Sequence, residues 1–319
     1  MTFLAALLQI LTGFIVVIIL YVITLVIMKI DSLVSGMAMT GKPLESSLII
    51  DGYTNVGTLA KREFNTVNPF AVNFVKIPRS VNTFGGAQFT YQFWIKINEA
   101  DDALFKNLPL FIKGDNKNYK INLYPYNNPA ATTVVKKYPA DTYIRCPQIK
   151  FGNSWRHLVV QFNTTNTPLT EIDILMNPEA SGANRRNLLS LLPINWYMMT
   201  FVFEDNYNPN DSSENGIKFT FYLNDVPYQI NNATTEIMLR NNYLKQNDGN
   251  LTLFPNPTSI NSEFMNFGNL TYYNYAVTSD DVRVSFLKGP PSKLAQLSRY
   301  NDRAPAHITA FNKIDIYNY

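Results

Sequence analysis

The sequence predicts a mainly β protein, a two-sheet antiparallel sandwich of the jelly-roll kind, preceded by one N-terminal transmembrane helix. Three observations predict it. No charged residue occurs from Phe3 to Met28. After residue 31 helix-period patterns are scarce, while 19 Tyr, 21 Phe and many β-branched residues favour strands. Short apolar runs then recur with turn signals between them, the pattern of two packed sheets.

The uncharged run comes first. As a helix, residues 3–28 would be about 39 Å long, against a hydrocarbon core of about 30 Å. Phe3, Leu4, Ile10, Phe14, Ile18, Leu20, Ile23, Ile27 and Met28 are its anchoring residues, interrupted only by Gln9, Thr12, Gly13, Tyr21 and Thr24 among weakly apolar or polar types. Lys29 closes the run and Asp31 follows. A cleaved signal peptide has a basic start and a core of about 7–15 residues; this run has neither. A buried helix of a globular protein keeps a polar stripe, and this one has none. The chain therefore divides into a transmembrane helix (1–30), a stalk (31–48), the sandwich (49–290) and a C-terminal extension (291–319).

Lys29 and Lys42, with Lys61 and Arg62 further on, stand against a lone α-amino group on the other flank. By the positive-inside rule this favours a cytosolic body. A single cysteine, Cys146, permits no internal disulfide and agrees. Five N-glycosylation sequons begin at Asn163, Asn210, Asn232, Asn250 and Asn269. In a chain so rich in Asn, Thr and Ser they are expected by chance and read as unmodified; glycan on any of them would overturn the cytosolic assignment.

Net charge is +3 and only 16% of residues are charged. The basic pairs Lys61–Arg62, Lys136–Lys137 and Arg185–Arg186 are scattered and form no stripe, so no nucleic-acid partner is expected. Residues 283–313 are mildly basic, which suits an anionic lipid surface.

Along the body, Ser47–Tyr53 and Phe70–Ile77 are candidate strands, the second ended by Pro78. Gln88–Ile97 is the clearest strand: Phe89, Tyr91, Phe93, Ile95 and Ile97 share one face, and Thr90, Gln92, Trp94 and Lys96 the other. Leu108–Lys113 and Tyr119–Tyr124 flank Gly114–Asn116 as a hairpin. Thr132–Lys136, Tyr143–Phe151, Trp155–Phe162 and Glu171–Met176 follow as strands, and Leu188–Leu192 as a short helix. Trp196–Glu204 and Ile217–Leu223 are strong strands, with a tight turn at Asn224–Asp225, residue types that tolerate positive φ. Leu251–Phe254 and Phe264–Val277 complete the set. Thr278 then caps a helix whose start carries Asp280 and Asp281, and Gly289 ends it.

Four stretches carry a resemblance: FGGAQFTYQFWIKI, LPINWYMMTFVFED, GIKFTFYLNDVPY and FGNLTYYNYAVTSDDVRVSFLKGPP. Over residues 49–290 the chain resembles the laminin-G-like, concanavalin A-like jelly rolls. It is most similar to membrane-anchored members of the nucleocytoplasmic large DNA viruses, which IIDGY at Ile49–Tyr53 also fits. The family's Asn-Gly turn is Asn224–Asp225 here. The resemblance implies a non-enzymatic, minor structural (minor capsid) protein of the virion, a single-pass protein of the viral inner membrane made on host intracellular membranes. Its partners would be the lipid bilayer, the major capsid protein and other minor capsid proteins. The alternative it leaves open is a lectin or adhesin with a glycan as partner.

No enzymatic chemistry is expected. Some glucanases of this fold carry Glu-x-Asp-x-Glu or Glu-x-Asp-x-x-Glu on a strand. Here Glu171 and Asp173 are followed by Leu175 and Met176, so the second acid is missing; retaining hydrolysis needs two carboxyl groups about 5–5.5 Å apart. His157, His307 and Cys146 give no zinc spacing, and no cofactor is expected. Calcium is a candidate through Asp115, Asn116, Asp205, Asn206 and Asp211, none singled out by spacing. Trp94, Trp155 and Trp196 serve either as core or as sugar-stacking platforms, and their apolar neighbours favour core.

Overall fold

The computed structural model describes residues 18–24, 44–80, 86–114, 145–167, 169–176, 191–207, 215–230, 235–255 and 263–293. The chain divides into two compact units, Met1–Leu44 and Glu45–Tyr319.

In the first unit, residues 18–24 form helix α1. Thr24 Oγ1 donates to the Leu20 carbonyl at 2.9 Å, so its one hydroxyl is satisfied within the helix. Ile18, Leu20 and Ile23 lie in α1 and are exposed. Phe3, Leu4, Ile10, Phe14, Ile27 and Met28 lie outside the described residues. Among the described residues no helix is long and apolar enough to cross a membrane.

The second unit is a jelly-roll sandwich of two antiparallel sheets. The larger sheet has β1 (Ser46–Leu48), β14 (Met265–Tyr273), β4 (Gln88–Ile97), β9 (Trp196–Asn206), β10 (Gly216–Leu223) and β11 (Val226–Pro227) in that order. Two more strands join it: β2 (Tyr53–Asn55) pairs with β14, and β12 (Glu236–Arg240) with β10. The smaller sheet runs β3 (Arg62–Phe64), β13 (Leu251–Leu253), β5 (Pro109–Gly114), β6 (Arg145–Phe151), β7 (His157–Phe162) and β8 (Thr170–Leu175). Among the described residues of this unit there are also three short helices: α2 (Val56–Leu59), α3 (Asp102–Phe105) and α4 (Ser279–Leu287).

The two-residue period of the sequence decides what each strand buries. Phe89, Tyr91, Phe93, Ile95 and Ile97 of β4 all enter the core between the sheets, as their alternation predicts. Phe219, Phe221 and Leu223 of β10 do the same. Rings from opposite sheets meet there: Tyr91 with Phe111 at 5.1 Å, Phe162 with Phe203 at 5.5 Å, and Phe254 with Phe267 at 5.4 Å. Edge-to-face and tilted pairs of this kind add roughly 0.5–1.5 kcal/mol each beyond area burial.

The other face of β4 is also covered. Trp94, Met198 and Val202 form a second cluster with Val282 and Phe286 of α4. Trp94 stacks on Phe286 at 5.9 Å and 12°. The helix starts where the sequence says: Thr278 and Asp281 form a reciprocal capping box. Asn224 turns β10 into β11 at φ 61°.

Several expectations need correction. Ser47–Tyr53 is two strands, because the N–H groups of Ile49 and Ile50 both turn to the Leu270 carbonyl. Ser46–Leu48, read as the end of a stalk, pair with Thr271–Tyr273. Phe70–Ile77 is no strand but the far half of a loop closed by asparagines. Trp155 sits in the turn before β7. Leu191 and Leu192 are not helical. Tyr119–Tyr124, Thr132–Lys136 and residues 188–190 lie outside the described residues.

The strands define two ends. Ser46 pairs with Tyr273, which pairs with Thr90 near the start of β4; this is the near end, where the chain arrives from residue 44. Ile97, Trp196, Leu223, His157 and Leu175 mark the far end.

Candidate functional site: two ends of one sandwich

The near end is tied by buried polar groups. Asp205 points inward from β9. Its Oδ2 accepts the Ala87 N–H at 2.8 Å and its Oδ1 the Leu244 N–H at 2.9 Å. It thereby joins the start of β4 to the turn that follows β12. Burial pushes its carboxyl up to about 6 against the two N–H donors, which pull it down. Gly86 must lack a side chain: a Cβ there would lie 2.1 Å from the Asp205 Cβ.

Beside it, Lys113 is buried, and its ammonium donates to Thr66 Oγ1 at 3.3 Å and to the carbonyls of Asn247 and Gly249 at 3.1 and 2.5 Å. Three donors meet three acceptors, which is how a buried cation is tolerated. Burial lowers its pKa to about 8, so it stays charged at neutral pH. Burial raises the Cys146 thiol to about 12, which leaves it unreactive. Lys113, Cys146, Tyr91 and Tyr272 line a cavity of about 40 Å³. Ligand pockets measure about 300–1,000 Å³, so this one has room for waters and not for a sugar.

A loop projects from the same end. Asn65 Oδ1 accepts the N–H groups of Val67 and Asn68 at 3.0 and 2.7 Å. Asn68 Oδ1 accepts the Phe70 N–H at 3.0 Å, and Asn73 Nδ2 donates to the Glu63 carbonyl at 2.8 Å. Asn65 N–H donates to the Asn73 carbonyl and Val75 N–H to the Asn65 carbonyl, closing the loop. These asparagines and Pro69 override the strand expected at Phe70–Ile77.

The far end is different. Leu175, Leu192, Ile194 and Val226 are all exposed there, Leu175 at 65% and Ile194 at 68%. Ile194 has φ 72°, a left-handed conformation that a β-branched residue adopts only under strain. Its N–H donates to the Ile97 carbonyl at 2.6 Å, and the Leu192 N–H to the Tyr197 hydroxyl at 2.9 Å. Strain held at an exposed position is a pointer to function.

The sequence-predicted chemistry lies between these ends. Glu171 and Asp173 share the outer face of β8, and both are engaged: Gln161 Nε2 donates to Glu171, and His157 Nε2 lies 2.9 Å from Asp173 Oδ1. His157 Nδ1 accepts the Asn153 N–H at 3.3 Å, which leaves the ring proton on Nε2, facing the carboxylate. Both nitrogens are engaged, so His157 is a satisfied structural histidine. Leu175 is exposed and Met176 buried where a second acid would stand.

Among the described residues no three of His, Cys, Asp and Glu are grouped to hold a metal. Both Asp205 oxygens accept backbone N–H groups. Asp115, Asn116, Asp211 and His307 lie outside the described residues. Trp94 and Trp155 are buried, the latter beneath the Arg156 guanidinium at 4.3 Å, and Trp196 meets Tyr53 edge-on at 4.8 Å. All three are packed, as their neighbours in sequence indicate.

Three sequon asparagines are structural. Asn163 is 5% exposed and its Oδ1 accepts the Arg145 N–H. Asn269 sits at φ 45° and accepts the Gly52 N–H at 2.8 Å. Asn250 Nδ2 donates to Glu63. Asn210 and Asn232 lie outside the described residues.

No family model and no curated protein matches the chain. Among solved structures it is similar to the botulinum neurotoxin serotype D ligand-binding domain in complex with N-acetylneuraminic acid, at TM-score 0.42 and 8% identity over 78% of this chain and 47% of that one. It is also similar to the binding domain of Paraclostridial Mosquitocidal Protein 1, at TM-score 0.38 and 16% identity over 78% and 48%. The botulinum neurotoxin serotype G binding domain matches at TM-score 0.38 and 10% identity over 64% and 36%. The chain thus spans less than half the length of these structures. At these scores the likenesses carry no argument on ligand or partner.

Proposed function

We propose that this chain is a non-enzymatic, membrane-anchored structural protein, with α1 inside the bilayer-spanning helix and the sandwich as a rigid tether on the cytosolic side. The observation that carries the proposal is α1 itself. All seven of its residues are exposed, and six of them are Ile, Leu, Val or Tyr. A helix apolar all round needs a non-aqueous surrounding, and the uncharged run from Phe3 to Met28 supports a bilayer as that surrounding.

Geometry also supports the cytosolic side. Sequons in a lumenal chain meet the glycosylation machinery as surface loops. A glycan on Asn163 would have to leave a buried side chain, and one on Asn250 Nδ2 would disturb its bond to Glu63. The far end, with its outward apolar side chains and a strained Ile194, supports a protein partner as what the tether holds.

In its finer form the proposal is a minor structural protein of a large DNA virus particle. It would join the inner membrane to the capsid shell through the major capsid protein and other minor capsid proteins. The quoted sequence motifs support that setting. Two measurements test the proposal. The full chain made with microsomes is expected to resist alkaline carbonate extraction and to show no mass loss with a glycosidase; extraction overturns the anchor, and a glycosylated folded chain overturns the side. The chain is expected in the membrane fraction of purified particles, and its absence there overturns the virion setting alone.

A glycan-binding module is the second reading. Exposed Tyr207 at the near end supports it, and reproducible binding of the folded chain on a glycan array would establish it.

A further inference from the structure

We propose that the Asn65–Phe74 loop is a second membrane contact: Val67, Phe70 and Val72 enter the interfacial layer of the same bilayer that holds the anchor. The proposal rests on the anchoring reading above and adds a surface to it. Val67, Phe70 and Val72 are exposed at 62, 72 and 48%. Single exposed apolar side chains need no explanation. Three within six residues, on a tip held rigid by the hydrogen bonds of Asn65, Asn68 and Asn73, do.

Position selects the occupant. The loop leaves the sandwich at the end where the chain arrives. Lys76, just past the loop, pairs with Glu45 at 3.0 Å, and Glu45 N–H donates to Asn274 Oδ1 at 2.7 Å. Only residues 29–44 separate Glu45 from the uncharged run. Thr66 and Lys113 fix the loop's base to the Asn247–Gly249 turn. Around it stand Lys76 and Arg79, the latter forked onto Asp248 at 2.6 and 3.2 Å. Apolar tips ringed by ion-paired polar side chains suit the boundary between headgroups and acyl chains. A protein partner would instead be met at the far end, at the opposite end of the strands from Glu45.

The experiment uses the full chain reconstituted in phosphatidylcholine–phosphatidylserine vesicles, with and without lipids brominated on the upper acyl chain. Phe70→Trp places a reporter on the tip, and Leu175→Trp places one on the far end as a control. The signal of the wild-type chain, with its three packed tryptophans, is subtracted. The expected result is a blue-shifted Phe70→Trp emission that brominated lipid quenches, with a Leu175→Trp emission that is neither shifted nor quenched. A Phe70→Trp emission at the position of a water-exposed indole, unquenched, in chain that survives an alkaline carbonate wash, overturns the loop contact and leaves the anchor standing. Chain stripped by the wash overturns the anchor and the loop contact together.

Discussion

At the near end a carboxylate, Asp205, receives two backbone N–H groups, and an ammonium, Lys113, gives its three protons to two carbonyls and a hydroxyl. At the far end Leu175, Ile194 and Val226 face outward, and one of them sits in a strained backbone conformation. Both ends cap the same aromatic core. The near end spends charged groups on internal order, and its bonds join β4, β5, β9 and the turns around Gly249. The far end leaves apolar surface unsatisfied. The contrast is between buried polar groups that order one end and backbone strain with outward apolar side chains at the other; the exposed Val67, Phe70 and Val72 of the near end lie on its loop, outside that polar bracket.

The largest expected effect lies at the near end. Asp205→Ala removes the acceptor of two buried N–H groups, each costing about 1–3 kcal/mol when unpaired, while relief of a buried charge offsets part of the loss. A net destabilisation of about 2 kcal/mol is expected in chemical denaturation of the body. Its pH dependence identifies the cause. The folded carboxyl titrates at about 6, above its ordinary 3.8, so the folded state binds more protons between those values. Asp205 therefore contributes stability that is fully present at low pH and is lost as pH rises through 6. The stability of the wild type relative to Asp205→Ala should grow, by on the order of 1–3 kcal/mol, as pH falls from 7 toward 4. A flat difference would remove Asp205 as the bracket of this end.

How much of this was legible in the sequence follows from what sets each feature. The period of two placed β4 and its buried face residue by residue, because a strand's face is fixed by parity alone. Thr278–Asp281 marked α4 because capping is local chemistry. The Asn65–Phe74 loop misled, because Phe70–Ile77 reads as a strand while Asn65, Asn68 and Asn73 take up the backbone bonds that a ladder needs. Three asparagines and a proline in nine residues were the signal that outweighed that reading. The near-end bracket was not legible: Asp205 meets Ala87 and Leu244 only through the packing of distant strands. The far end was half legible, since Leu192, Ile194 and Leu175 are apolar in sequence but only the fold shows them outward.

The far end makes a smaller and opposite prediction. Ile194→Gly relieves a left-handed β-branched residue, a conformation that costs roughly 1–2 kcal/mol, and loses some of that gain to the freer unfolded chain. A net stabilisation of about 0.5–1 kcal/mol is expected from thermal or chemical unfolding. The same substitution removes an exposed apolar side chain, so on the tether reading proposed above co-purification of a partner with the chain should fall. Stability up and binding down separates a functional surface from a merely imperfect one; a loss of stability would show that Ile194 is held by packing and not by strain.

The smallest effect returns to the near end. Lys76 and Glu45 form an ion pair at 3.0 Å whose lysine is 48% exposed. Surface pairs contribute about 0.2–1 kcal/mol and are screened by salt. Lys76→Gln is therefore expected to leave the unfolding midpoint almost unchanged, with any difference fading at high ionic strength. What should change is local order: amide exchange at Glu45–Leu48 is expected to quicken, because the pair and the Asn274 side chain add to the β1–β14 pairing in holding this segment against β14. Unchanged exchange at these residues would place the whole restraint on Asn274 and the β1–β14 pairing, so that the ordered segment would begin at Ser46 instead of Glu45.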